Sequence, residues 1–300
     1  MRSHLTSQQG FTLIEMIMVV VITGIIGGIV AVFIRAPVQG YVDSARRAEM
    51  SDIADTALRR LGRDLRTAVP NSVRIPNALG STYIEFLPTR DGGRYRVDSG
   101  SGAGNCGAAG DNLSFAVPDS CFEIVGPPID FNTSDAIVIG STQADGSLPY
   151  QAVGSVTGVM RMVAAAGVGV AKQAVQITAS TEPFPAFADL PGHRFEVVPG
   201  DQQAVTYACA DEFGGACTTN GSGDGTCRVT RYWAYGFNDP QVVPLALGGN
   251  SAILADRVSA CNFVYDTSNQ RNSLVAVSLT ITRSNESVNL YHEIHVNNIP

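Results

Sequence analysis

The residues with the clearest chemical potential form the string GFTLIE at positions 10–15. It joins a short polar leader to an apolar run that extends to Ile34 and has Glu15 as its only charged residue. The peptide bond between Gly10 and Phe11 is therefore a candidate site for hydrolysis at the edge of a membrane. A carboxylate inside such a run costs about 2.5–3.5 kcal/mol to insert into a bilayer. Glu15 consequently needs a cationic partner.

A membrane-spanning helix must position these residues. Residues 11–34 form roughly 36 Å of α-helix, which is enough to cross a hydrocarbon core of about 30 Å. A secretory signal differs, because its apolar region has about 7–15 residues and small residues follow at the cut. We therefore expect cleavage after Gly10 on the cytoplasmic side, with the apolar helix retained. The alternative is a plain membrane anchor in which Glu15 reaches back to the interface.

Residues 35–69 predict an amphipathic extension of this helix. An apolar stripe recurs at alternating spacings of four and three, and we expect it to pack on a sheet of the same chain. Pro37 and Gly40 are expected to interrupt the helix, and Pro70 to end it. The stripe comprises Met50, Ala54, Leu58, Leu61, Leu65 and Ala68, and the opposite side offers the pairs Asp55–Arg59 and Arg60–Asp64.

Residues 70–300 change to short β-type runs and are expected to form one domain. The runs at 83–87 and 94–97 flank residues 90–93 (RDGG), which predicts a hairpin with a glycine turn. No strand–helix alternation follows, so we expect a mostly antiparallel sheet and an α+β fold. Residues 99–110 and 214–225 predict exposed loops. Further strands are predicted at 136–139, 174–177, 195–198, 204–208, 227–235, 258–265, 274–281 and 288–296.

The charge and the cysteines limit the function of this domain. Residues 70–300 contain 21 acidic and 12 basic residues, which argues against binding to nucleic acid. All six cysteines lie beyond the apolar run, and their even number favours disulfides in an oxidising compartment. No two of them have the CxxC spacing of a zinc site. Arg35, Arg46 and Arg47 oppose an exported domain by the positive-inside rule, but the processing site and the cysteines outweigh them.

Catalytic and metal-binding patterns are weak. The sequence has no Gly-x-Ser-x-Gly, His-Glu-x-x-His or phosphate-binding loop string. His292 and His295 lie three apart in a predicted strand and would point to opposite faces. Residues 220–225 (NGSGDG) alternate oxygen side chains as calcium loops do, but lack the terminal Glu. We expect no enzymatic activity and no cofactor; a membrane-anchored periplasmic hydrolase is an alternative.

The string GFTLIE resembles the cleavage and methylation site of type IV prepilins and type II secretion pseudopilins. The resemblance implies that prepilin peptidase cuts after Gly10 and methylates the new amino group of Phe11. Glu15 would then be the fifth residue of the mature chain and would meet the N-terminal amine of a neighbouring subunit. Such a pair also sets the axial register between two helices.

Strings along nearly the whole chain resemble the MshO family of MSHA pilus biogenesis proteins. A more distant resemblance is to J-type pseudopilins of type II secretion and to PilW-type minor pilins. The chain departs from the MshO pattern at residues 211–225 and around Cys106 and Cys121. The matching strings are PVQGY (37–41), RRAE (46–49), ALRRLGRD (57–64), PNSVR (70–74), FP (184–185), HRF (193–195), VTY (205–207), TRYW (230–233), ADRVSAC (255–261) and LYHEIHV (290–296).

The resemblance implies a minor pilin that primes or caps a pilus. Its partners would be other minor and major pilins, prepilin peptidase and the assembly platform of the inner membrane. It would be a single-pass protein with a periplasmic domain, and would later enter the pilus, with the tip as one location. The implied segments are a leader (1–10), a transmembrane helix (11–34), its periplasmic extension (35–69) and a minor-pilin domain (70–300). A J-type pseudopilin and a tip adhesin are the alternatives.

The disulfide pattern follows from the same resemblance. Cys209 and Cys261 lie inside MshO-like strings, which favours their pairing, and the other four would pair locally as Cys106–Cys121 and Cys217–Cys227. The main alternative joins Cys209 to Cys227 and leaves Cys217 for Cys261.

Overall fold

The computed structural model describes residues 10–76, 82–99, 106, 111–132, 134–151, 157–168, 173–178, 180–266 and 272–300. It has one long helix followed by an antiparallel β-rich part, so the predicted α+β class is confirmed. The chain forms two compact units, Met1–Glu49 and Met50–Pro300. Nearly all of the predicted leader and of the predicted loop at 99–110 lies outside the described residues.

The helix α1 extends without interruption over Leu13–Arg66. The expected interruption at Pro37 and Gly40 was therefore wrong. A proline removes one N–H group from the helix, but the remaining backbone hydrogen bonds on both sides carry the helix across it. The helix ends before Pro70: the N–H and the hydroxyl of Thr67 both donate to the carbonyl oxygen of Asp64 at 3.1 and 2.8 Å.

The first half of α1 exposes its apolar side chains. Every residue from 11 to 34 is exposed, and Phe11 retains 85% of its accessible surface. In the described part of the chain, this is the one helix that is long and apolar enough to cross a membrane. Lipid or the helices of other subunits would bury this surface.

The unit Met50–Pro300 contains an open sheet and a closed barrel, both antiparallel. The strands are β1 Tyr83–Phe86, β2 Asp91–Tyr95, β3 Cys121–Val125, β4 Ala136–Ile139, β5 Met160–Val168, β6 Ala174–Ile177, β7 Arg194–Val198, β8 Val205–Ala210, β9 Cys227–Trp233, β10 Asn250–Asp266, β11 Asn272–Arg283 and β12 Glu286–Asn297. The sheet has the order β1-β8-β9-β10-β11-β12, and the barrel has the order β2-β3-β6-β5-β4-β7. Short 3-10 turns occupy Leu148–Tyr150, Ala186–Ala188 and Pro244–Ala246.

Two apolar clusters stabilise this unit. The first joins the predicted stripe of α1 to the sheet: Leu58, Leu61 and Leu65 are buried in one cluster with strand residues such as Phe263 and Val277. The packing predicted for the stripe is therefore confirmed. The second cluster fills the barrel, where the rings of Phe122 and Phe195 meet edge to face at 5.7 Å.

The predicted hairpin at residues 83–97 was wrong. Strand β1 pairs with β8 in the sheet, whereas β2 pairs with β3 and β7 in the barrel. Gly92 and Gly93 lie within β2 rather than in a turn. A Cβ atom on Gly93 would lie 2.7 Å from the Phe195 ring, and one on Gly92 would lie 2.9 Å from Oε2 of Glu196. These glycines therefore permit close packing between strands.

Two strands were not predicted and others are longer than expected. The sequence of β5, MRMVAAAGV, has few β-branched residues, which explains why its β-propensity is weak. The strand β3 begins at a cysteine in a region rich in Pro, Asp and Ser. The ladders of β10, β11 and β12 continue beyond the apolar runs because polar residues such as Asn272 and Asn297 still pair.

Candidate functional site at the start of the helix

The predicted processing bond lies outside regular structure. Gly10, Phe11 and Thr12 have no helical or strand conformation, and all three are exposed. The helix begins two residues after Phe11. A peptidase could therefore reach the Gly10–Phe11 bond without unwinding α1.

Thr12 and Glu15 form a capping box at the start of α1. The backbone N–H and the hydroxyl of Thr12 donate to Oε2 of Glu15 at 3.0 and 2.9 Å. The N–H of Glu15 faces Oγ1 of Thr12 at 3.4 Å. This reciprocal arrangement satisfies helix N–H groups that otherwise lack partners, and the helix dipole favours a carboxylate there. Glu15 thus has a partner within its own chain.

The capping role of Thr12 was missed in the sequence analysis. The signal was present, because Thr-x-x-Glu directly before an apolar run is a helix-start signature. Only Oε2 of Glu15 is engaged among the described residues. The second oxygen, Oε1, accepts no hydrogen bond from the described residues.

The six cysteines form three disulfides in the structure. The bonds are Cys106–Cys121, Cys209–Cys261 and Cys217–Cys227, with Cα–Cα distances of 5.9, 6.2 and 5.2 Å. These distances lie in the usual range for a disulfide. The pairs are the ones that the sequence analysis favoured, and Cys209 and Cys227 are both buried.

Peptide mapping under non-reducing conditions will test this connectivity. We expect a fragment that links Cys209 to Cys261, because both belong to the sheet and lie close enough to bond. Reduction should separate the linked peptides. A fragment that links Cys209 to Cys227 would instead support the alternative pairing. Free thiols at all six positions would remove the argument for an oxidising compartment.

In the candidate calcium loop, oxygen side chains accept hydrogen bonds from the chain itself, and the two candidate histidines differ in burial. In residues 220–225, Oδ1 of Asn220 accepts from the N–H groups of Ser222 and Asp224 at 2.9 and 3.0 Å. Oδ1 of Asp224 accepts from the N–H of Ser284 at 2.7 Å. His292 and His295 lie in β12, where His292 is half-buried and His295 is exposed. Among the described residues, no group of three or more potential ligands converges.

A buried ion pair links the segment after α1 to the sheet. Nε of Arg74 lies 2.7 Å from Oε2 of Glu85, and the two side chains are only 7% and 1% exposed. The hydroxyl of Tyr235 donates to Oε1 of Glu85 at 2.8 Å, and the guanidinium of Arg74 lies over the Tyr150 ring. Burial raises the pKa of Glu85, while Arg74 and the Tyr235 hydroxyl act to lower it. These groups contact one another rather than an open cleft.

A second ion pair corrects an expectation about α1. Asp64 does not pair with Arg60; its Oδ2 instead accepts from Arg231 at 2.9 Å and from the Tyr207 hydroxyl at 2.8 Å. The strands of the sheet thus supply hydrogen-bond donors to Asp64 at a position that is less exposed than the surface of the helix. The predicted pair Asp55–Arg59 is confirmed at 2.7 Å.

Comparison with known proteins identifies a family motif at the start of the chain. Residues 5–31 match the prokaryotic N-terminal methylation motif. No match was found among curated proteins or solved structures. The motif supports a prepilin-type protein, either type IV pilin-like or a pseudopilin, and implies processing by prepilin peptidase and assembly with pilins in general. With the exposed apolar helix, it indicates membrane anchoring in the cell envelope.

Proposed function

We propose that this protein is a non-enzymatic minor pilin of an MSHA-like type IV pilus. It joins other minor pilins in the inner membrane to prime the filament, and then caps it. The observation that supports this role is the methylation motif on a helix whose apolar surface is uncovered. A priming subunit needs such a helix, because pilin-type helices pack against one another as the filament leaves the membrane.

The geometry at Glu15 supports the assembly step. One carboxylate oxygen holds the first turn of α1, and the other accepts no hydrogen bond from the described residues. The free oxygen can receive the methylated amine of Phe11 from a neighbouring subunit. An ion pair of this kind in a lipid environment offsets part of the desolvation of both groups.

The MshO-like strings favour a pilus over a secretion system. They extend from residue 37 to residue 296 and include structural positions such as Arg74, Arg231 and Cys261. A J-type pseudopilin remains the alternative, because the N-terminal motif is common to both classes. The proposed location of residues 70–300 is the periplasm, where the three disulfides can form.

Substitution of Glu15 tests this proposal. We expect Glu15→Ala to insert into the membrane at least as well as the wild type, because a polar group is removed from the apolar run. We expect its cross-linking to other pilins, and piliation in a strain that depends on this subunit, to fall about tenfold or more. The measurements are membrane fractionation and filament counts.

Glu15→Gln is the matched control, since glutamine retains the capping box but has no charge. If the charge pairs with a neighbouring amine, Glu15→Gln should assemble as poorly as Glu15→Ala. Normal piliation in Glu15→Gln cells would show that helix capping matters and that the ion pair does not. Normal piliation in both variants would refute the assembly role.

A further inference from the structure

Two arginines lie side by side on the outside of the barrel. Arg94 of β2 and Arg194 of β7 are exposed, and they occupy directly opposite positions in the antiparallel β2–β7 ladder. Side chains in opposite positions share one face of the sheet and lie about 5 Å apart at Cβ. Like charges in this arrangement destabilise a sheet. A bound anion would remove that repulsion.

These two arginines differ from most others in the domain. Arg74, Arg90, Arg96, Arg231 and Arg257 each lie within 4 Å of a carboxylate. Among the described residues, neither Arg94 nor Arg194 has a carboxylate oxygen within that distance. Residues 70–300 contain 21 acidic and only 12 basic residues, so carboxylates are plentiful. The pair is therefore a local cationic patch on an acidic domain.

A groove adjoins the pair. It has a volume of about 390 Å³ and is lined by the backbone of Gly92 and Gly93. Only Gly92 faces the groove, because a Cβ atom on Gly93 would point towards the buried Phe195 ring. Val125 and Pro127 form an apolar wall, and Glu196 also lines the groove. A second groove of about 440 Å³ shares Arg94 and Val125 and extends to His193. The open space thus continues along both sides of Arg94.

Glu196 offsets the charge of the two arginines only in part. Its carboxylate lies over Gly92, where a Cβ atom would come within 2.9 Å of Oε2. Burial raises the pKa of Glu196 to about 7; nearby Asp91 adds to this increase and Arg194 opposes it. Near neutral pH a substantial fraction of this carboxyl group is protonated, and the protonated form can donate a hydrogen bond to a ligand oxygen.

We propose that Arg94 and Arg194 bind the carboxylate of an acidic sugar seated in the groove between these arginines and the wall formed by Val125 and Pro127. Guanidinium groups match the planar geometry of a carboxylate and form two parallel hydrogen bonds with it. The protonated carboxyl of Glu196 and the adjoining groove would contact hydroxyl groups, and Val125 and Pro127 would contact the ring carbons. This site is independent of the filament-priming role.

The shape of the site favours a saccharide over a protein partner. The groove volume lies in the lower part of the range for small-molecule sites. None of the described residues that line the two grooves is an exposed large aromatic of the kind that dominates protein interfaces. The two guanidinium groups carry two positive charges, and the partly ionised Glu196 beside them offsets part of this charge. A ligand with a single negative charge therefore matches the net charge of the site.

Calorimetric titration of the full-length processed protein in detergent micelles will test the proposal. The probes are trigalacturonate and its neutral trimethyl ester. We expect saturable binding of trigalacturonate only. Arg94→Gln and Arg194→Gln should each weaken the affinity about tenfold or more, because each removes a charge-assisted hydrogen-bond donor.

The control is Arg228→Gln, which removes an exposed positive charge from β9 outside the groove. It should change the affinity less than about twofold. Thermal unfolding should show that all three variants fold. Absence of saturable trigalacturonate binding to the wild type, or an equal loss in Arg228→Gln, would overturn the proposal. Binding of a Glu-rich peptide in place of trigalacturonate would overturn the saccharide assignment and indicate a protein partner.

Discussion

Replacement of Gly10 by Ala is expected to abolish cleavage, so that the leader stays attached to the membrane-bound protein. The wild-type protein should begin with an N-methylated Phe11. Gly10 lies in the methylation motif, which covers residues 5–31. A peptidase that accepts glycine before the cut would have to make room for the additional Cβ atom of alanine. Mass spectrometry of the intact, membrane-extracted protein will measure both termini.

Gly24→Ala is the matched control for this experiment. It makes the same chemical change in the apolar part of α1, where a Cβ atom meets nothing within 4 Å. This variant should be cleaved and methylated normally. A Phe11 terminus in Gly10→Ala cells would contradict the assignment. A wild-type terminus beyond Ile34 would show instead that the apolar helix is a removed signal.

Arg74→Met should be the most destabilising of the single substitutions considered. It leaves the Glu85 carboxylate buried without its cation, and breaking a buried ion pair in this way costs about 3–5 kcal/mol. The contact of the guanidinium with the Tyr150 ring is also lost. Denaturant unfolding followed by the fluorescence of Trp233, the single tryptophan, will measure the free energy of unfolding.

The effect of Arg74→Met should depend on pH. Burial already raises the pKa of Glu85, and the variant loses the arginine that lowers it, so the pKa rises further. The folded variant then holds a proton that the unfolded chain releases, and its stability falls as pH increases through this interval. We therefore expect a larger loss at pH 8 than at pH 5.

Arg59→Met is the control for burial. Arg59 lies 2.7 Å from Asp55, the same distance as in the Arg74–Glu85 pair, but the two side chains are 75% and 43% exposed. Exposed pairs contribute about 0–1 kcal/mol, so this variant should unfold almost as the wild type does. Similar losses in both variants, or a loss in Arg74→Met that does not change with pH, would contradict the role given to the buried pair.

Local pattern in the sequence was sufficient to predict the N-terminal site. The string at residues 10–15 predicts the processing bond, the length of the apolar run predicts a membrane span, and the matched motif covers this string and most of the run. The apolar stripe from Met50 to Leu65 also predicts which face of α1 packs on the sheet, because helical periodicity places these residues on one face. The capping role of Thr12 was available from the same short-range information.

Tertiary structure decided which strands pair. The sequence places β1 and β2 next to each other, yet β1 joins β8 and β2 joins β7, more than a hundred residues away. The partition into a sheet and a barrel follows from such long-range pairings, which a run of alternating residues does not encode.

Partner choice among charged groups was decided in the same way. Arg60 lies one helical turn from Asp64, but Arg231 from the sheet contacts that carboxylate. Arg94 and Arg194 are a hundred residues apart in the chain and meet only because β2 and β7 close the barrel. Sequence spacing gives the face of an element on which a side chain lies, whereas its neighbours depend on the packing of elements that are distant in the chain.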